Sequence, residues 1–372
     1  MLSLGFDAKR ALYNASGLGN YARTLLGNLV AQSPEHHYHL YAPGRKDSGV
    51  NPRIAAFQHP SQHLHLDRRL GAHLHRTSGM RSQVLRDRVQ VFHGLSNEIP
   101  LDLVGSGVRT IMTVHDLLFL DHPETYPWLD RQIYRLKTQS GLAKADRIVA
   151  ISRTTRDRLV HYFPQIQDRL EVIYQPCAPD YYLDPWEHPS ETSMVPEQPY
   201  WLYVGNIEAR KNLRGLLKAL GTMPISDRLP LVVIGKGGSE ALACRRLGSQ
   251  LGLDIRWIAN GNGGSLRPWY HGATALVYPS LAEGFGLPVA EALLSGCPVV
   301  TSTDTSMAEF SGPYAVLVDP KDTDSLVEGL RKTRLSEYAS LQGRQNARQA
   351  ILKLLDPAHL TQKWLNLYQQ MA

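Results

Sequence analysis

The run Ser280-Leu281-Ala282-Glu283-Gly284-Phe285-Gly286-Leu287-Pro288-Val289-Ala290-Glu291 decides how the rest of the chain reads. An apolar, β-prone run, Ala273 to Tyr278, precedes it; Ala292-Leu293-Leu294 follows, with a stop at Gly296. The pattern is strand, glycine loop, helix. Pro288 suits a first helical turn, where its missing N–H costs nothing. Gly284 and Gly286 allow a tight turn and a close approach to a ligand. The N–H groups of Gly286, Leu287 and their neighbours then point out of a helix start, whose partial positive charge suits a phosphate. Glu283 in the loop and Glu291 one turn into the helix bracket that anion site. Carboxylates accept hydrogen bonds well from vicinal hydroxyls, so a ribose and a hexose are matching partners. The pattern points to a nucleotide-sugar, with the diphosphate at the helix start and a sugar at each carboxylate. Such turns also occur throughout α/β proteins, and an acid in a first helical turn is ordinary dipole chemistry.

The whole string is more specific than its glycines. It resembles the E-x7-E signature of the retaining glycosyltransferases of family 4, the group 1 transferases. That resemblance gives Glu291 to the nucleotide ribose and Glu283 to the donor sugar. It implies the GT-B fold: two Rossmann-like, doubly wound α/β domains facing across a cleft.

Length and composition fit this. A chain of 372 residues is long for one core and comfortable for two domains. Hydrophobic content of 43% and charged content of 20% are ordinary for a soluble protein. No apolar run reaches the roughly 18 to 20 residues that span a bilayer. The start, Met1 to Asp7, lacks a basic segment and a long apolar core, so no secretory signal is expected. Cys177, Cys244 and Cys297 are odd in number and far apart, which points to a reducing, cytoplasmic setting without a disulfide framework or a zinc site. A net charge of +6 favours anionic partners without choosing among nucleotide, lipid headgroup and nucleic acid.

Ser3 to Asp7 reads as a buried strand leading to Ser16-Gly17-Leu18-Gly19-Asn20-Tyr21. Tyr21, Leu25, Leu26, Leu29 and Val30 then share one helical face. The loop resembles the family's N-terminal glycine loop, which faces the donor, and so adds Gly17 and Gly19 to the donor set. Lys9 and Arg10 face the same region or are a solvated pair. Arg53 to Arg88 carries seven arginines against Asp67 and Asp87. Its His63-Leu64-His65 and His73-Leu74-His75 pairs fit alternate positions on a strand face or scattered helix positions at least as well as a metal. Its leucines beside arginines read as an anionic membrane contact or as a solvated face packing leucines inward.

Val89 to His93 and Thr110 to Val114 are β-prone runs ending in histidines. In open α/β sheets the loops after the strands build the site. Thr113-Val114-His115-Asp116-Leu117 resembles the family segment whose histidine reaches the transferred sugar, a role that falls to His115; His93 is expected to be structural. Leu142 to Ser152 resembles another family segment; Ser152 is expected to cap the helix that follows. Between Pro176 and Pro199 lie six of the 23 prolines, a density that marks an interdomain connection. Strands are then expected near Tyr200–Val204, Leu231–Ile234, Ile255–Ile258, Ala273–Tyr278, Val299–Thr301 and Ala315–Val318. Strand–helix alternation of this kind implies a mainly parallel sheet.

In the second domain the loop Gly205-Asn206-Ile207-Glu208-Ala209-Arg210-Lys211-Asn212 follows a strand and opens a helix. Arg grips phosphate bidentately and Lys acts as a compact charge. The family has the same pair for the diphosphate, so Gly205, Arg210 and Lys211 join Glu283, Gly284, Phe285, Gly286, Leu287 and Glu291 as the expected donor set. Catalytic roles are expected for His115, Glu283, Arg210 and Lys211. Asp322-Thr323-Asp324 spells D-x-D, but helix capping accounts for it and the two cations neutralise the diphosphate. No metal and no cofactor beyond the donor is expected. Asn260 to Gly264 belongs by resemblance to the base pocket.

The expected division is an acceptor-binding domain at 1–175, a proline-rich linker at 176–199, a donor domain at 200–355 and a terminal helix at 356–372 returning to the first domain. The expected activity is transfer of a hexose, mannose by general resemblance, to a glycan or lipid-linked acceptor in cell-surface polysaccharide synthesis. The alternatives are a nucleotide-sugar 2-epimerase of similar fold and a non-catalytic sugar-binding protein. Nucleic acid is not an expected partner, because the basic residues lack an interleaved aromatic platform. The oligomeric state stays open.

Overall fold

The computed structural model describes residues 1–14, 17–43, 57, 59–67, 79–187, 195–259 and 265–372. The chain forms two compact units, Met1–Pro176 with Leu355–Ala372, and Cys177–Leu354.

The first unit holds a seven-stranded sheet in the order β3-β2-β1-β4-β5-β6-β7. Its strands are β1 (Ser3–Asp7), β2 (His37–Pro43), β3 (Gln62–Asp67), β4 (Val91–Gly94), β5 (Arg109–Val114), β6 (Arg147–Ala150) and β7 (Leu170–Val172). Every pairing is parallel, as strand–helix–strand crossovers require. The apolar run of β5 is buried from Thr110 to Val114, as expected where helices cover both faces. The helix Gly17–Gln32 buries Tyr21, Leu25, Leu26, Leu29 and Val30. Ser152 caps the helix Arg153–Tyr162, its hydroxyl oxygen accepting from the Thr155 N–H. β2 and β3 fill stretches where the sequence offered no single reading, and β3 places His63 and His65 on a strand.

The second unit holds a six-stranded sheet in the order β10-β9-β8-β11-β12-β13. These strands are β8 (Trp201–Val204), β9 (Leu231–Ile234), β10 (Ile255–Ile258), β11 (Ala275–Tyr278), β12 (Val299–Ser302) and β13 (Val316–Val318). All are parallel. β8, β9, β11 and β12 are buried throughout. Residues 177–187 pack with this unit: Arg348 donates to the Tyr182 carbonyl at 2.9 Å and Arg267 to the Asp184 carbonyl at 2.8 Å.

In each sheet the strand order reverses beside the first strand of the unit, between β1 and β4 and between β8 and β11. In open parallel sheets, ligands bind outside the carboxyl ends of the strands at that reversal. The loops after β8 and β11 are those that carry Arg210, Lys211 and Glu283. No helix among the described residues is long and apolar enough to cross a membrane.

The terminal helix Pro357–Met371 seals the first unit. Its Tyr368 hydroxyl lies 2.7 Å from His93 Nδ1, and His93 Nε2 lies 2.7 Å from the Thr113 hydroxyl. Trp364 packs on the same imidazole at 4.5 Å. His93 is fully buried and its basicity is pushed down to about 3 by that burial, then by His115. It is a structural histidine.

Candidate active site

At the switch point of the second sheet, Glu283 collects donors from three directions. Tyr278, the last residue of β11, donates its hydroxyl to Glu283 Oε1 at 2.8 Å, and Ser280 donates to the same atom at 3.2 Å. Arg210 Nη1 stands 3.1 Å away and Lys211 Nζ 3.8 Å away. Burial alone would push the Glu283 carboxyl up, but Lys211, Arg210 and Tyr278 outweigh it and hold it below the ordinary range. Burial likewise opposes the Arg210 charge, and Glu283 reverses the balance and raises its basicity.

The loop backbone fixes these side chains. Arg210 bonds to the Ala282 carbonyl, and the Leu281 N–H returns to the Arg210 carbonyl at 2.8 Å. Asn212 sits in the left-handed region at φ 55° and closes the turn before the helix Leu213–Thr222. Gly205 has φ +139°, and a Cβ there would stand 3.2 Å from Lys211 Nζ, so the glycine leaves room for the lysine over the Tyr278 ring. Gly286 has φ +96° and precedes the helix Leu287–Leu294, with Pro288 in its first turn. A Cβ on Gly286 would meet Met307 Cγ at 2.3 Å, so any side chain there is strained at this φ and displaces Met307. Ser306 holds the loop from below, donating to the Glu283 carbonyl at 2.8 Å and the Phe285 carbonyl at 3.1 Å. Phe285 stacks on Phe310 at 4.7 Å. Gly284 lies between these anchors.

Glu291 has a different environment. Tyr270 donates to its Oε2 at 3.0 Å, and Tyr181 adds a second hydroxyl. Burial is the dominant influence, and with Asp180 nearby it lifts the carboxyl to about 7 in spite of both tyrosines. The two glutamates of one loop and helix are therefore poised oppositely: Glu283 is held ionised, and Glu291 titrates near neutrality.

In the first unit, His115 follows β5. Its backbone N–H donates to Asn97 Oδ1 at 2.9 Å, and Nε2 donates to the Leu95 carbonyl at 2.8 Å, which leaves Nδ1 as the acceptor nitrogen. Tyr21 meets the ring edge-on at 4.7 Å. Burial pulls His115 down to about 4, against the Leu95 bond and aided by Arg10, so the ring is neutral at pH 7. A cavity of about 170 Å³ opens beside it, lined among others by Arg10, Leu18, Asn97 and Asp116. Gly17 and Gly19 lie in the first turn of the helix Gly17–Gln32.

The structure thus gathers Gly205, Arg210, Lys211, Glu283, Gly284, Phe285, Gly286 and Leu287 at one switch point, with Glu291 one helical turn on. Tyr278, Tyr270, Tyr181 and Ser306 were not assigned to the site from sequence; only Tyr278, five residues before Glu283, stands near its carboxylate in the sequence. Asp322 accepts from the Asp324 N–H at 2.9 Å and caps the helix Thr323–Lys332. Ser16, residues 260–264 of the expected base pocket, and Arg68, Arg69 and Arg76 of the basic stretch lie outside the described residues.

Comparison with known proteins gives the family and the fold. Residues 15–181 match the family described as Glycosyltransferase Family 4, and residues 184–350 match Glycosyl transferases group 1. The chain is 33% identical over 282 residues to O-antigen chain mannosyltransferase B of Escherichia coli, covering 71% of this chain and 72% of that protein. It is 28% identical to a serotype-specific mannosyltransferase WbdA of Escherichia coli, covering 73% of this chain but 35% of that longer protein. Among solved structures, HepE of Anabaena in complex with UDP and glucose superposes with a TM-score of 0.74 at 15% identity over 100% of both chains. WaaG, a glycosyltransferase involved in lipopolysaccharide biosynthesis, does so with a TM-score of 0.72 at 17% identity over 99% of both. These likenesses give the fold as GT-B. With that relative 33% identical and matched over more than two thirds of both lengths, and with a glycosyltransferase family model matching each half, the chain belongs to the group 1 glycosyltransferases of family 4.

Proposed function

We propose that this glycosyltransferase moves a hexose from a nucleoside-diphosphate sugar to a glycan or lipid-linked acceptor in cell-surface polysaccharide synthesis, retaining anomeric configuration and needing no divalent metal. The observation that carries this reading is the ionised Glu283 held against Arg210 and Lys211 at a sheet switch point, beside a helix start. Names of relatives as O-antigen mannosyltransferases favour a mannose-type donor, and HepE, bound to UDP, favours a nucleoside diphosphate.

Cleavage of the sugar–diphosphate bond places negative charge on the leaving oxygen and cationic character on the anomeric carbon. Arg210, Lys211 and the N–H groups near Leu287 stabilise the leaving group by preorganised electrostatics. Glu283 holds hydroxyls of the donor sugar, and Glu291 holds the ribose. The acceptor attacks the face that the diphosphate leaves, whose oxygen takes its proton, so no protein nucleophile is required. His115 receives the role of a sugar contact, its acceptor Nδ1 matched to a hydroxyl.

The acceptor side is proposed to be a membrane surface. On the helix Trp128–Lys144, Leu129, Ile133 and Leu136 share one face and are 61%, 42% and 66% exposed, with Trp128 67% exposed beside them. A solvent-facing apolar stripe flanked by Arg131 and Arg135 has the character of an interfacial helix. The basic stretch 53–88 joins it in the proposal.

Calorimetry with a panel of nucleoside diphosphates, followed by transfer assays with the matching mannose donor, tests the reading. Glu291→Ala is expected to weaken nucleotide binding by roughly 1.5 to 3 kcal/mol, the worth of a charged hydrogen bond. Turnover is expected to persist in EDTA. Unchanged nucleotide affinity in the variant would remove Glu291 from the ribose.

A further inference from the structure

The edge of the first sheet carries a cluster that the transferase reading does not use. β2 presents His37, His39 and Tyr41 on one face, and β3 presents His63 and His65, because side chains alternate along a strand. The parallel register brings His39 opposite His63 and Tyr41 opposite His65. His37 Nδ1 lies 3.2 Å from His63 Nε2, and His39 Nδ1 lies 3.1 Å from His65 Nε2. The row ends on Asp87, at the end of the helix Arg81–Arg86, with Oδ2 at 3.5 Å from His65 Nε2.

We infer that His39, His65 and Asp87 form a binding site for a divalent transition ion of zinc type. The ligand atoms, one from each residue, lie within 4.8 Å of one another. Bonds of about 2.0–2.1 Å to a tetrahedral zinc set neighbouring ligand atoms about 3.3 Å apart, between the 3.1 Å and 3.5 Å found here. Two imidazoles and one carboxylate suit such an ion, with water in the fourth position.

The surroundings are those of a supported site. Tyr41 donates its hydroxyl to Asp87 Oδ2 at 2.7 Å, which fixes the carboxylate. The Gln83 amide lies 3.0 Å from His65 Nδ1. With that amide turned so that its oxygen faces the ring, it accepts the Nδ1–H and directs the Nε2 lone pair at the ion. Binding takes the tautomers in which His39 Nδ1 and His65 Nε2 both carry lone pairs. An ion there ties the edge strand β3 to β2 and to the helix Arg81–Arg86. It belongs to the first unit, and the donor groups Arg210, Lys211 and Glu283 belong to the second.

The test uses the untagged full chain stripped with EDTA and dialysed, then titrated calorimetrically with Zn²⁺. One equivalent per chain is expected, together with a rise in melting temperature. Co²⁺ in its place is expected to give the intense visible bands of a four-coordinate site. His39→Gln and Asp87→Asn, each checked for folding by circular dichroism, are expected to lose at least about tenfold in affinity and the melting shift. No saturable Zn²⁺ binding by the unsubstituted chain would overturn the proposal. So would stoichiometric binding that survives in both variants, or a Co²⁺ spectrum of six-coordinate type. If either variant misfolds, the spectrum of the unsubstituted chain decides alone.

Discussion

Tyr278 ends β11 with its hydroxyl hydrogen on Glu283 Oε1, 2.8 Å away, and a strand residue thereby sets the charge state of the loop that follows it. The same tyrosine ring lies under Lys211 Nζ at 5.6 Å. One side chain thus orients both signs of charge at the switch point. Tyr278→Phe removes one donor to a buried carboxylate, a loss of about 1.5 to 3 kcal/mol. Because the Glu283 carboxyl is held low in the folded chain, its contribution is present above the ordinary carboxyl range and is lost as pH falls through the folded value. Denaturant titrations are therefore expected to show the full Tyr278→Phe deficit at pH 7 and a smaller one in acid.

Arg210→Ala and Lys211→Ala are each expected to lower turnover on the order of a hundredfold, the worth of one contact to a developing oxyanion. Arg214→Ala, which breaks an exposed pair with Glu240 at 2.6 Å, is the control and is expected to stay near the parent rate. Steady-state transfer kinetics decide it, and near-parent rates in both loop variants would remove the pair from the diphosphate.

Glu291 gives the opposite pH signature. Its carboxyl stands at about 7 in the folded chain against an ordinary 4.5. A raised value stabilises fully below the unfolded value, and that stability is lost as pH rises through about 7. The loss is at most roughly 3 kcal/mol, because the residue keeps some solvent contact. Glu291→Gln is expected to gain on the parent between pH 5 and 8 in urea unfolding. Nucleoside diphosphate affinity is expected to rise over the same window in the parent and to stay flat in Glu291→Gln.

Vesicle co-sedimentation tests the acceptor side. Binding is expected to need anionic lipid, at about 1 kcal/mol per basic residue near the surface, and to fall with salt. Replacing Trp128, Leu129 and Leu136 with serine is expected to weaken it even at low salt. Replacing Arg68, Arg69, Arg76 and Arg81 with glutamine is expected to weaken it chiefly at low salt. Absence of binding to either lipid class would make a soluble acceptor the better reading.

The organising turn was legible because every element of it is local. Gly286 and Pro288 fix a helix start whatever packs on it, and Ser152 and Asp322 cap their helices within three residues. What the sequence hid is set by packing. Tyr270 and Tyr278 read as core aromatics until the helix Arg267–Gly272 and the strand β11 aim their hydroxyls at Glu291 and Glu283. Tyr181 lies in a proline-rich run that reads only as a connection, yet its hydroxyl reaches Glu291. His63 and His65 were visible as a pair, but their partners His37 and His39 lie 26 residues earlier and meet them only through the register of an edge strand. The exposed face of the helix Trp128–Lys144 also escaped notice, since an apolar stripe at helical spacing reads as a buried one.

The bond between His93 and Tyr368 spans 275 residues. A ribosome delivers one end of that pair long before the other. Until the helix Pro357–Met371 emerges, the nascent first unit holds an imidazole nitrogen with no Tyr368 and an apolar trough with no Trp364 and no Leu367. Its fold closes only after that helix is made, however early its sheet forms. The helix Pro357–Met371 is therefore the piece that completes the first unit: a chain cut before it can hold a whole second unit while its first stays open.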